Sequence, residues 1–244
     1  MWRDDDMLGW RARIGLIIPS TNLLLETALP RMAPPGVTFH AARLSAGACA
    51  DPEGLRRMAA HVIDTARDLA SARVDLIAYC CTASSFVEGG DHDGQVIRAI
   101  ADETGIRAVT TMDSIISALR HLQARRIALV SPYAEALERL EQAYLEREGF
   151  VISARAGMGI TDMVALHLPS RAEIYRLCRD TMAADADSLL ISCNALQGHG
   201  VAAVLERDLK IPVVTSLTAT LWGILRAVGI GEGVAGYGRL LEAG

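Results

Sequence analysis

The chain states one pattern twice. RIGLIIPS at Arg13–Ser20 returns as RIALVSPY at Arg126–Tyr133, 113 residues further on. VDLIAYCCTA at Val74–Ala83 returns as ADSLLISCNA at Ala186–Ala195, with an offset of 112 between Cys81 and Cys193. GIRAVTTMDSIISALRHLQA from Gly105 returns as KIPVVTSLTATLWGILRAVG from Lys210, an offset of 105. Each match alone is weak, but their common order is the signature of a duplicated unit. A chain built this way is held to two similar halves related by an approximate twofold axis.

The repeated pieces have the look of buried strands. Short aliphatic runs at Arg13–Pro19, Asp75–Tyr79, Ala108–Thr110, Ile127–Ser131, Ser188–Ser192 and Val213–Thr215 are separated by longer stretches of helical spacing. Leu55, Met58, Ala59, Val62, Ala66 and Leu69 predict one amphipathic helix over Pro52–Ser71. Ala134–Glu148 and Ser170–Ala184 read likewise, with Glu135, Glu138, Arg139 and Glu141 expected on the wet face of the first. Strands alternating with helices predict an α/β fold of two parallel-sheet domains related by a pseudo-twofold axis. The expected division is 1–115 plus 218–244 for the half that carries Cys81, and 116–217 for the half that carries Cys193. In open parallel sheets, ligands sit beyond the carboxyl ends of the strands. Two facing halves would therefore place corresponding strand ends on opposite walls of one cleft.

Composition narrows the function. A net charge of −5 with scattered basic residues argues against nucleic acid and anionic lipid as partners. No apolar run reaches the roughly 18 residues of a membrane span, and the acidic stretch Met1–Trp10 does not read as a signal peptide, so the expected location is the cytoplasm. The five cysteines, Cys49, Cys80, Cys81, Cys178 and Cys193, form an odd set with no C-x-x-C pair, which suits reduced thiols. Cys49 and Cys178 read as small buried or half-buried residues. The six histidines lack zinc spacing, and neither G-x-G-x-x-G nor a phosphate-binding loop is present, so no metal and no cofactor is expected. His199, six residues past Cys193, reads as an exposed loop residue.

Cys81 and Cys193 are the corresponding pair, each at a predicted strand end and followed by small polar residues. Unpaired N–H groups at such a place bind carboxylate oxygens and can lower a thiol pKa from its ordinary value of about 8.5. A thiolate on one wall and a thiol on the other would offer a base and an acid to opposite faces of a planar carbon. Alternation along the strand turns Cys80 away from Cys81, toward the core. Ser20, Thr21 and Asn22 after the first strand, and Tyr133 after its counterpart, could donate hydrogen bonds into the cleft or cap helices. Thr215 and Thr218 follow a further strand and rank below them.

These residues resemble the aspartate/glutamate racemase superfamily, in its branch of maleate cis-trans isomerases, arylmalonate decarboxylases and EutA-type proteins. The resemblance spans nearly the whole chain. It is carried by IGLIIPSTN (Ile14–Asn22), ETALP (Glu26–Pro30), CTASSF (Cys81–Phe86), TTMDSI (Thr110–Ile115), SPY (Ser131–Tyr133), GITDMVA (Gly159–Ala165), LISCNAL (Leu190–Leu196) and IPVVTSLTAT (Ile211–Thr220). It implies a site between two α/β domains, no cofactor, and thiols as the reacting groups. Cys81 matches the family's first cysteine, the nucleophile or base, and Cys193 the second, the acid. Asn22 and Tyr133 match positions that hold substrate carboxylates, while Thr82 and Ser84 lie in a carboxylate-pocket loop; Ser20 and Asn194 join them as candidate binding residues. The implied substrate is a small carboxylate or dicarboxylate, maleate first. Racemisation of an amino acid, decarboxylation of a malonate, and carboxylate binding without turnover are the alternatives. The decarboxylases have glycine at the first cysteine position, so Cys81 favours an isomerase. Monomer and homodimer are both compatible with the resemblance.

Overall fold

The computed structural model describes residues 7–243 and contains two four-stranded parallel sheets. The first half runs β1 (Ala12–Pro19), α1 (Leu25–Met32), β2 (Val37–Leu44), α2 (Pro52–Ala59), α3 (Val62–Ser71), β3 (Leu76–Tyr79), α4 (Thr82–Glu88), α5 (His92–Thr104), β4 (Ala108–Thr110) and α6 (Thr111–His121). The second runs β5 (Arg126–Tyr133), α7 (Glu135–Arg147), β6 (Val151–Ile160), α8 (Arg171–Thr181), β7 (Ser188–Ile191), α9 (Ala202–Leu209), β8 (Val213–Thr215) and α10 (Ser216–Ala227), with a short α11 (Arg239–Glu242) after it. Strand order is β2-β1-β3-β4 in one sheet and β6-β5-β7-β8 in the other, so the duplication read from the sequence is a duplication of topology.

The central strands form because their residues are apolar on both faces. Leu76–Tyr79 and Ser188–Ile191 are buried at every position, as a strand covered by helices on both sides must be. The edge strands β2 and β6 carry no such signal. Apart from Leu44, their residues are half-buried or exposed, and His40, Arg43 and Arg155 interrupt them, so apolar runs alone do not reveal them. Pro52–Ser71 is two helices rather than one, broken at Ala60–His61. Met58 and Val62 stay buried across the break, which is why the apolar spacing hides it.

The halves meet along α6 and α10, the helices of the third repeated piece. Each is capped the same way: Thr110 Oγ1 accepts from the Asp113 N–H at 3.1 Å, and Thr215 Oγ1 from the Thr218 N–H at 3.0 Å. Thr215 and Thr218 therefore serve the cap. The helices approach closely at Gly223, where an added Cβ would stand 2.3 Å from Ser114 Oγ. A second junction lies at Asp93 of α5, whose buried carboxylate accepts from Ser85 Oγ at 2.7 Å and from the Tyr144 hydroxyl of α7 at 2.8 Å. No helix among the described residues is long and apolar enough to cross a membrane.

Candidate active site

β3 delivers Cys81 to the carboxyl edge of the first sheet, where α4 begins at the next residue. The thiol is buried, and burial pushes its pKa up; the Ser84 side chain and the backbone N–H groups of Ser84 and Ala83 pull the other way. Ser84 is itself fully buried and its hydroxyl donates to the Cys81 carbonyl at 3.1 Å, so it braces the thiol from behind. Cys80 turns its Sγ to the Ala78 carbonyl at 3.4 Å, and burial pushes that thiol up.

β7 delivers Cys193 from the other half, two residues past the strand's end. No helix starts here. Cys193 has φ +84°, in the left-handed region that a residue with a Cβ enters at a cost of about 1–2 kcal/mol. The turn is closed by the Leu196 N–H on the Cys193 carbonyl at 3.1 Å, while the Ala195 N–H lies 3.4 Å from Sγ. Burial pushes the Cys193 thiol up to about 11, against the hydrogen bond from the Tyr133 hydroxyl. Tyr133 is carried by the end of β5, packs edge-on to Phe86 of the first half with ring centroids 5.8 Å apart, and is held well above the ordinary tyrosine range by burial and by Cys193.

Both thiols line one cavity of about 40 Å³, together with Asn22, Thr82, Tyr133 and Asn194. That volume holds about three waters. No charged side chain lines it; Thr21 and Cys80 also reach its wall, and the rest is apolar, chiefly Ala50, Leu55, Met163 and Leu166. Asn22 links the halves: its Oδ1 caps α1 by accepting from Leu24 and Leu25 N–H at 2.9 and 3.0 Å, and its Nδ2 donates to the Asn194 carbonyl at 3.3 Å. Asn22 thus lines the cavity with both ends of its amide engaged by protein groups. Asn194 points its amide into the interface, donating to Thr111 Oγ1 at 2.7 Å and Thr220 Oγ1 at 3.4 Å. Thr82 Oγ1 donates to Ser216 Oγ at 3.3 Å. A buried polar chain therefore runs from α4 and the Cys193 turn into the α6–α10 pair.

Other expectations fall elsewhere. Ser20 does not line the cavity; its Oγ accepts from the Ala46 N–H at 3.0 Å and shapes the loop after β2. Cys49 is exposed rather than buried, because its loop crosses over the cleft: Ala50 N–H donates to the Thr161 carbonyl at 2.7 Å and Met163 N–H to the Ala48 carbonyl at 3.0 Å. This crossing of two loops, one from each half, supplies the apolar lid residues Ala50, Met163 and Leu166. The GITDMVA motif marked part of that segment, but nothing in it distinguished a lid from a turn. His199 is buried, not exposed, stacked 6.3 Å from the Tyr237 ring, and lines a separate cavity of about 680 Å³ with His167, Arg31 and Arg171. Glu138 and Glu141 are also buried, not on a wet face; Glu141 is 0% exposed and accepts from Ser192 Oγ, beside Cys193.

Two like lobes, each ending a central strand near a cysteine above one shared cavity, define a cysteine-dependent α/β enzyme of the aspartate/glutamate racemase kind. Residues 14–241 match the arylmalonate decarboxylase family, and the chain belongs to it. It is 32% identical over 240 residues to a maleate isomerase of Nocardia farcinica, covering 94% of this chain and 95% of that protein. It is 30% identical over 232 residues to arylmalonate decarboxylase of Bordetella bronchiseptica, covering 94% and 96%. A maleate isomerase of Pseudomonas putida, a cysteine-to-alanine variant solved with maleate, superimposes with a TM-score of 0.91 at 25% identity, over 95% of this chain and 98% of that one. A cysteine-to-serine variant of the Nocardia farcinica maleate cis-trans isomerase, with a covalently bound succinylcysteine intermediate, matches with a TM-score of 0.91 at 29% identity and the same coverage.

Proposed function

We propose that this protein is a cis-trans isomerase of maleate or a similarly small cis-dicarboxylate, acting through Cys81 and Cys193 without a cofactor. The observation that carries this reading is the pair of thiols from opposite halves on one small cavity. The Cys81 thiolate adds to one alkene carbon, forming a C–S bond, and the π pair moves to the neighbouring carbon and its carboxylate. The Cys193 thiol gives that carbon its proton, so the central bond is single and rotates. Cys193 then takes a proton back, the double bond re-forms in the trans sense, and the C–S bond breaks to return the Cys81 thiolate. Addition and protonation leave a succinyl thioether, the species named in the Nocardia relative.

Asn22, Thr82, Tyr133 and the N–H groups after Cys81 would hold the carboxylates, while Ser84 supports the first thiol and the Asn194 side chain the Cys193 turn from behind. Thiols that must stay reduced suit the cytoplasm.

Proton NMR in deuterated water tests the reading, with maleate, chiral amino acids and a malonate offered to the parent, Cys81→Ala and Cys193→Ala. Fumarate formed by the parent and by neither variant is the expected result. Deuterium entering an amino-acid stereocentre with no fumarate would replace it with racemisation, and malonate decarboxylation retained in Cys81→Ala would replace it with the one-thiol lyase.

A further inference from the structure

We propose that Glu141 is a positioning residue for the second thiol: through Ser192 it fixes the turn that carries Cys193, and charge arriving on its carboxyl group holds that thiol protonated. The proposal rests on the reading of Cys193 as proton donor.

Glu141 lies on the face of α7 that also buries Leu137, Tyr144 and Leu145. Ser192 Oγ donates to its Oε1, and Oε2 has no hydrogen-bond partner. Among the described residues it takes part in no ion pair: Arg155, the cation of the adjacent strand β6, lies 3.7 Å from Glu135 instead. A carboxylate so enclosed would be an unpaired buried charge, which is strongly unfavourable. The group is therefore a neutral acid at pH 7, its pKa pushed up to about 8 by burial against the Ser192 hydrogen bond. Ser192 is held at both ends, its N–H on the Val130 carbonyl at 2.8 Å and its side chain on Glu141. The next residue is the left-handed Cys193.

The duplication supplies the control. At the repeat offset of 112, the counterpart of Ser192 is Cys80, whose thiol turns back to its own strand. Offsets of 112 and 113 place the counterpart of Glu141 at Leu29 or Ala28, both apolar and buried. The fold therefore does not need an acid here, and only the Cys193 side has one.

Negative charge arriving on Glu141 raises the Cys193 thiol and the Tyr133 hydroxyl further. Besides Glu141, α7 carries the titratable groups Glu135, Glu138, Arg139, Tyr144, Glu146 and Arg147, and the elements packed against it add Glu88 on α4, Arg155 on β6, and Arg126 and Tyr133 at the two ends of β5. Arg126 pairs with Asp185, and the Tyr144 hydroxyl with Asp93, so neither competes for Glu141.

The test compares the parent with Glu141→Gln and Glu141→Ala in two assays. Iodoacetamide labelling from pH 6 to 10, read peptide by peptide by mass spectrometry, should show Cys193 titrating earlier in Glu141→Gln. Labelling at pH 8.5 should be roughly threefold faster, with Cys81 little changed. In maleate turnover, Glu141→Ala should lose about tenfold or more in kcat with KM nearly constant. Glu141→Gln should recover most of that at pH 7, yet lose activity at a lower alkaline pH than the parent, as a donor that parts with its proton sooner must. Superimposable Cys193 labelling curves in parent and Glu141→Gln overturn the proposal, and so does parent-like kcat in Glu141→Ala. If Glu141→Ala does not fold, Glu141→Gln decides alone. If the parent turns over no maleate, the functional reading fails while the labelling assay still judges Glu141.

Discussion

Thr111→Val tests whether the α6–α10 interface supports the Cys193 turn. Valine keeps the shape of threonine, so the substitution opens no cavity and removes one oxygen from a fully buried site. That oxygen accepts from Asn194 Nδ2 at 2.7 Å and shares a 2.9 Å hydrogen bond with Thr220. A buried donor left without its partner costs about 1–3 kcal/mol, a factor of roughly 5 to 150 in the folding equilibrium. Thr220 sets the lower end of that range, because its oxygen already lies 3.4 Å from Asn194 Nδ2 and can take over as acceptor. Urea denaturation should show a lower midpoint at unchanged slope, and thermal melts a drop of about 2–4 °C for each kcal/mol. Because the Asn194 carbonyl also receives Asn22 Nδ2, the loss should reach the cleft and lower kcat several-fold. Thr111→Ser, which keeps the oxygen, should restore both properties. A Thr111→Val protein within 0.5 kcal/mol of the parent, or a Thr111→Ser protein as damaged as the valine variant, would refute the reasoning.

Tyr133→Phe removes the hydroxyl that donates to Cys193, so the thiol rises further and kcat should fall about tenfold or more with a smaller change in KM, measured by steady-state turnover. Tyr144→Phe leaves the buried Asp93 with Ser85 alone and should cost about 1.5–3 kcal/mol in urea denaturation, without moving the pH profile of turnover. His199 stays neutral in the native state down to about pH 4 because of burial and Arg171, whereas the unfolded chain protonates it near 6.5. The unfolded state thus binds the extra proton between those values, and stability should fall by about 2–3 kcal/mol as pH drops from 6.5 to 4. His199→Gln should flatten that part of the stability curve.

The sequence was most legible where burial is complete. β3 and β7 had to be aliphatic on both faces, and the duplicated caps at Thr110 and Thr215 kept their spacing, so the central strands and the twofold plan could be read directly. The edges were not legible, since β2 and β6 are half-exposed and carry mixed residues. Glu141 was misread for a related reason: helical period places Glu135, Glu138 and Glu141 near one another, and charge normally marks a wet face. Only the packing of α7 against the strands reveals that the second and third of them face inward. The lid residues Ala50, Met163 and Leu166 come from two loops far apart in the chain, and their meeting is a tertiary fact that no local spacing encodes.

A duplicated frame would by itself give two equivalent thiols, yet isomerisation by addition requires unequal ones, a nucleophile that starts without its proton and a donor that starts with it. The asymmetry is local. Cys81 keeps an extended backbone, φ −124°, and meets the first N–H groups of α4, which favour the thiolate. Cys193 sits in a left-handed turn with φ +84° and no following helix, against Tyr133 and with Glu141 behind its neighbour. Divergence at positions 80 and 192, and at 28 and 141, is enough to separate the two environments while the sheets above them remain alike. On this argument, moving the acid should move the chemistry. Glu141→Gln combined with Ser192→Ala should make labelling of Cys193 more like that of Cys81, with unchanged sheet content by circular dichroism, and a Cys193 curve that stays where it was would place the asymmetry in the turn alone.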